Sequence, residues 1–75
     1  MASSHTELDT LGHRLRHFRT AAGLTLDQLG ERAGVAPSQL SLVENGKREP
    51  KLSTLQAIAR ELGLDLAELL SGEAP

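Results

Sequence analysis

Apolar residues along this chain recur every three or four positions, and a glycine closes each run. Leu8, Leu11, Leu15, Phe18 and Ala22 make the first series, the spacing of one buried stripe on an α-helix. Thr6 can cap its start, and Gly23 follows its end. A second helix opens at Thr25-Leu26-Asp27-Gln28, a capping box with Asp27 favourably placed in the first turn. Gly34 divides it from a third pattern that Asn45-Gly46 ends. Ala36 offers the third helix no side-chain acceptor, although Pro37 at the first helical position removes one unpaired N–H. That helix must lean on its neighbours. After the loop Lys47 to Lys51, a fourth helix carries Leu52, Leu55, Ile58, Ala59 and Leu62 on one face and stops at Gly63. Asp65 with Glu68 caps a short fifth helix bearing Leu66, Leu69 and Leu70, and Gly72 closes it. No segment alternates with period two and no longer repeat appears, so the pattern predicts an all-α chain.

The stretch from Leu26 to Asn45 reads as a helix-turn-helix unit. Its two helices must cross closely, and Gly30 removes the side chain that would hold them apart. Gly34 can take the left-handed conformation that turns the chain. Leu29, Val35, Leu40 and Val43 then share one core, which leaves Pro37, Ser38, Ser41 and Leu42 outward. Those outward positions are where a function would sit.

Length and composition narrow the rest. Seventy-five residues make one domain near the lower limit for a self-sufficient core, too small for a large active-site cleft. With no cysteine, neither disulfides nor a thiolate zinc site can contribute. Phe18 is the single aromatic residue, which argues against binding single strands by base stacking. The net charge of −2 and the pI near 5.8 count against a simple nucleic-acid binder. Yet Glu61, Asp65, Glu68 and Glu73 gather late, while Arg14, Arg16, Arg19, Lys47, Arg48 and Lys51 lie earlier, so a basic face can coexist with an acidic back. Nothing in residues 1–20 resembles a signal peptide and no window approaches a membrane span, so a soluble cytoplasmic protein is expected. His13 and His17 have a zinc-compatible spacing, but no third ligand completes a site and two solvated imidazoles are expected. Ser3, Ser4 and His5 fall in a tail expected to be disordered, and no phosphate-cradling glycine loop is present. Neither catalysis nor a cofactor is expected.

Four runs in register carry a family resemblance: R-x-x-x-G-L-T at Arg19 to Thr25, the Gly30 and Gly34 pair, V-E-N-G-K-R at Val43 to Arg48, and T-L-x-x-I-A-x-x-L-G at Thr54 to Gly63. Along almost its whole length the chain resembles the lambda-repressor-like, Cro/XRE-type DNA-binding domain. The resemblance implies a five-helix domain over 6–72, between a tail at 1–5 and a tail or linker start at 73–75, with helices 2 and 3 forming the helix-turn-helix. It implies that helix 3 (about 36–45) enters the major groove of double-stranded DNA. Ala36, Pro37, Ser38 and Leu42 then occupy base-facing positions, with Gln39 and Ser41 beside them near the backbone. Leu42 stands where the family often has a long polar side chain, so contact with a thymine methyl replaces a bidentate amide contact to adenine. The competing view of Leu42 is simply an exposed leucine.

Further phosphate contacts are implied for Thr25, at the start of helix 2, and for Asn45, Lys47, Arg48 and Lys51. Read without the resemblance, that charge run is a solvated loop. Leu26 departs from the family, which usually carries a phosphate-reaching glutamine there. Arg19 and Glu44 match an ion pair between the first helix and the end of the third, with Arg19 also near a phosphate. The implied function is transcriptional regulation by a nucleoid-associated prokaryotic homodimer on half-sites about one helical turn apart. Leu66, Leu69 and Leu70 suit either a dimer face or the core. Two rival readings remain: an antitoxin-like or coactivator-like module that binds protein, and the N-terminal reader of a longer regulator with a ligand-sensing C-terminal portion, an idea that the linker-like Ser71 to Pro75 ending suits.

Overall fold

The computed structural model describes residues 7–71. They form five helices and, among the described residues, no strand: α1 (Glu7–Ala21), α2 (Leu26–Ala33), α3 (Pro37–Glu44), α4 (Leu52–Leu62) and α5 (Leu66–Ser71). The Thr6 cap, the Leu8 side chain, Gly72 and both tails lie outside them. Helix α3 packs between α1 and α2, α4 lies against α2 and α5, and α5 returns to α1. One fully buried side chain comes from each helix in turn: Leu15, Leu29, Leu40, Ile58 and Leu69. Burying such a side chain contributes about 1.5–3 kcal/mol, so the five hold every helix to one common centre.

The local signals act as the sequence suggests. The Thr25 hydroxyl accepts from the Gln28 N–H at 3.0 Å, and the Gln28 side chain accepts from the Thr25 N–H at 2.9 Å. The Glu68 side chain likewise accepts from the Asp65 N–H at 2.9 Å. Gly34 has φ +74°. A Cβ on Gly30 would lie 2.4 Å from the Val35 carbonyl oxygen, so only glycine allows α2 to sit this close to the turn.

Several core assignments change. Ala22 is exposed: α1 stops at Ala21, and the Ala22 N–H turns to the Phe18 and Arg19 carbonyls. The buried side of α1 instead includes Gly12 and Arg19 beside Leu11 and Leu15, and Phe18 is half-buried. A Cβ on Gly12 would meet the Glu44 and Val43 carbonyl oxygens at 2.4 and 2.6 Å, so α1 presses its backbone against the end of α3. Leu52, expected on the buried face of α4, is 59% exposed. As the first helical residue, it tilts its side chain toward the N-terminus and off the end of the packed face. The choice left open for α5 divides: Leu69 is core, Leu66 packs half-buried against it, and Leu70 is 43% exposed.

Arg14 closes the structure. Its Nε donates to the Leu69 carbonyl at 2.9 Å and its Nη2 to the Leu70 carbonyl. A guanidinium from α1 thus satisfies carbonyls that the end of α5 cannot pair internally, and complements the negative end of that helix.

Candidate nucleic-acid interface

Leu40, Val43 and Glu44 are the buried residues of α3. At about 100° per residue, Ser38, Leu42 and Asn45 fall on the opposite arc. Ala36, Pro37 and Ser38 are exposed, whereas Gln39, Ser41 and Leu42 are half-buried. Leu42 is therefore neither core nor a freely projecting side chain. The first turn has little spare hydrogen-bonding capacity. Pro37 has no N–H, the Gln39 and Leu40 N–H groups both donate to the Ala36 carbonyl at 2.9 and 3.1 Å, and no side chain caps the helix. That leaves the Ser38 N–H as its open backbone donor.

The far end of α3 is fixed by its own backbone. The Lys47 N–H donates to the Leu42 carbonyl at 2.8 Å and the Gly46 N–H to the Val43 carbonyl at 3.1 Å, with Gly46 at φ +72°. This Schellman closure ties the Lys47–Lys51 loop to α3. The Asn45 side-chain amide donates back to the Ser41 carbonyl at 2.8 Å. Lys47, Arg48 and Lys51 are all exposed. Glu49, also exposed, partly offsets their charge.

Beneath this surface lies the Arg19–Glu44 pair, 9% and 6% exposed. Arg19 Nε donates to Glu44 Oε2 at 2.6 Å and Nη2 to Oε1 at 3.0 Å, while Nη1 donates to the Leu24 carbonyl at 2.8 Å. Among the described residues no buried side-chain polar atom lacks a partner. The hydrogen bonds that Arg19 donates to Glu44 raise its pKa, and the negative charge of the carboxylate adds to that, against the opposing effect of burial. The pair clamps the last turn of α3 to α1 and to the segment entering α2.

This changes the inventory of cations. Arg14 and Arg19, counted from the sequence with the basic face, are committed to α5 and to Glu44. The exposed cations that directly follow α3 in the chain are Lys47, Arg48 and Lys51 of the loop. Leu26 packs half-buried against the core, so at the position where the resemblance has a phosphate-reaching glutamine this side chain serves the fold. Thr25, exposed, accepts with its hydroxyl in the capping box, which leaves the O–H able to donate. His13 and His17 are exposed, and no group of three or more metal-capable side chains occurs among the described residues. No helix among them is long and apolar enough to cross a membrane.

Comparison with known proteins follows the same outline. Residues 10–71 match the family described as helix-turn-helix domain. The immunity repressor protein of Bacillus phage phi105 is 36% identical over 64 residues, which is 85% of this chain and 44% of the repressor. The chain thus spans less than half that relative's length. The crystal structure of the clp gene regulator ClgR from C. glutamicum superposes with a TM-score of 0.88 at 34% identity, covering 95% of this chain and 91% of that one. SinR, the master regulator for biofilm formation, in complex with DNA, superposes with a TM-score of 0.75 at 34% identity, covering 80% of this chain and 97% of that one.

Proposed function

The chain belongs to the helix-turn-helix domain family, and from that premise we propose that it binds double-stranded DNA sequence-specifically as a transcriptional regulator, with α3 in the major groove. The observation that carries the reading is the division of α3. One side is pinned by Leu40, Val43 and the clamped Glu44, while the other presents Ser38 to solvent, with exposed Pro37 at the amino end of the helix and a cationic loop at the other. The major groove of B-DNA is about 12 Å wide and admits a helix of that diameter. In this reading Ala36, Pro37, Ser38 and Leu42 face bases. Thr25, Gln39, Ser41, Asn45, Lys47, Arg48 and Lys51 meet the backbone, and Arg19 with Glu44 holds α3 at its depth.

A domain this small touches few phosphates, so it acts as a dimer on a two-fold-related site. The exposed Leu70 beside half-buried Leu66 supports α5 as the shared face. Sedimentation of the protein with and without DNA reads this directly.

Fluorescence anisotropy against a random duplex library, repeated at several salt concentrations, tests the reading. The expected result is an enriched two-fold-related sequence, with log K falling linearly in log salt by about 0.9 per phosphate contact. A library that returns no preferred sequence overturns it.

A further inference from the structure

We infer that α3 reads pyrimidine C5-methyl groups, so that thymine and 5-methylcytosine are equivalent to it at the position facing Leu42 and unmethylated cytosine is not. The inference rests on the DNA-binding reading above and gives it a chemical specificity. It follows from what the outward arc of α3 holds. Among Ser38, Leu42 and Asn45, Leu42 has the long side chain with no hydrogen-bonding atom, and it is half-buried without belonging to the core cluster or to the partly buried residues packed on it. The Asn45 amide is turned back onto the Ser41 carbonyl at 2.8 Å. Ser38 offers a hydroxyl, which pairs with any base. Ala36 and Pro37, both exposed, extend the apolar surface past the amino end of the helix.

Such a surface cannot recognise a purine edge by a bidentate hydrogen bond, the means by which arginine or glutamine selects guanine or adenine. What it can distinguish in the major groove is whether a methyl group is there to be covered. Thymine carries one at C5, and 5-methylcytosine carries the same group at the same place. Cytosine and uracil leave the leucine facing water. Removing one buried methyl costs about fourfold in affinity, the equivalent of about 0.8 kcal/mol, and a two-fold-related site doubles the exponent to about fifteenfold.

The test begins with the duplex enriched from the random library. Each symmetry-related pair of thymines is replaced in turn by deoxyuridine, which deletes the methyl and keeps every hydrogen-bonding atom, and each such pair of cytosines by 5-methylcytosine. Affinity is then measured for the parent protein, Leu42→Ala and Leu42→Gln, with thermal melts to establish that each variant is folded. The expected result is one symmetry-related thymine pair whose replacement by uracil weakens the parent about fifteenfold and both variants less than twofold. Cytosine placed there should bind poorly until it is methylated. Leu42→Gln should shift the preference at that step toward adenine. An enriched operator on which uracil costs nothing overturns this inference alone. So does a uracil penalty of the same size in Leu42→Ala, because it would then arise from DNA shape. Failure to enrich any sequence overturns the DNA-binding reading and this inference together.

Discussion

Replacing Glu44 with alanine should cost more than any other single polar substitution in this domain. The pair is nine-tenths buried, and both carboxylate oxygens accept from Arg19, so truncation leaves a guanidinium without its counter-charge in the interior. Breaking a buried pair in this way costs about 3–5 kcal/mol. At about 0.05–0.15 kcal/mol per residue, the described residues 7–71 supply a total of only about 3–10 kcal/mol. The variant should therefore melt on the order of 20 °C lower, since each kcal/mol shifts a domain of this size by about 4–8 °C. Titration offers no escape. A base whose pKa is higher folded than unfolded contributes its stability at every pH below the unfolded value, and for Arg19, whose pKa is raised, that spans the whole assayable range. Circular dichroism melts of the parent, Glu44→Leu, Arg19→Met and the double variant Arg19→Met/Glu44→Leu make the measurement a cycle, with Glu44→Ala melted beside them. The double variant should recover most of the loss, because apolar replacement of a buried pair is close to neutral. It should fall short by about 1–3 kcal/mol, because the Leu24 carbonyl loses the Arg19 Nη1 donor. DNA affinity, taken well below each melting point, should fall with Glu44→Ala as α3 loosens. A Glu44→Ala melt within about 2 °C of the parent, or a double variant no better than the single one, refutes the reasoning.

Three further outcomes follow from the packing. Gly12→Ala drives a methyl into the Glu44 and Val43 carbonyls at 2.4 and 2.6 Å, and backbone cannot swing aside. Despite the better helix propensity of alanine, it should destabilise by about 1–3 kcal/mol, read by denaturant titration. Arg14→Met keeps the stem and removes the donors to the Leu69 and Leu70 carbonyls. Amide exchange in α5 should accelerate while protection in α2 and α3 changes little. Lys47→Ala and Arg48→Ala, both at exposed loop positions, should weaken DNA binding alike on all sequences and lower the salt slope by about one each, whereas substitutions at Arg14 should leave that slope unchanged.

The helices were legible because their ends are written in the chain. The capping box Thr25-Gln28, the single bond from the Asp65 N–H to the Glu68 side chain that is one half of the expected second box, and the left-handed glycines depend on residues within a few positions of one another, and local chemistry of that kind is readable before the chain folds. The fate of a guanidinium does not. Arg14 binds carbonyls at Leu69 and Leu70, 55 and 56 positions away, and nothing in its neighbourhood along the chain marks it off from a solvent-exposed cation such as Arg16. Gly12 did leave a signal. A glycine inside a helical pattern costs about 1 kcal/mol against alanine, so its presence there points to a close backbone approach, here the end of α3. Ala22 and Leu52 continue a periodicity past the ends of the packed faces, where the spacing of apolar residues no longer reports burial. For the outward positions of α3, the pattern separated Pro37 and Ser38 from the core, but the half-buried state of Leu42 needed the folded chain.

The lack of any side-chain cap on α3 has a consequence for how such a domain can change. Because Leu40, Val43 and Glu44 hold that segment in place and its first turn relies on backbone bonds to Ala36, the exposed side chains of Ala36 and Ser38 add little to the stability of the protein. Substitutions at these sites could accumulate without threatening the fold. A lineage could then exchange one set of target sites for another in single steps, each intermediate still folded, while a change at Glu44 or Gly12 would be eliminated before its effect on recognition mattered.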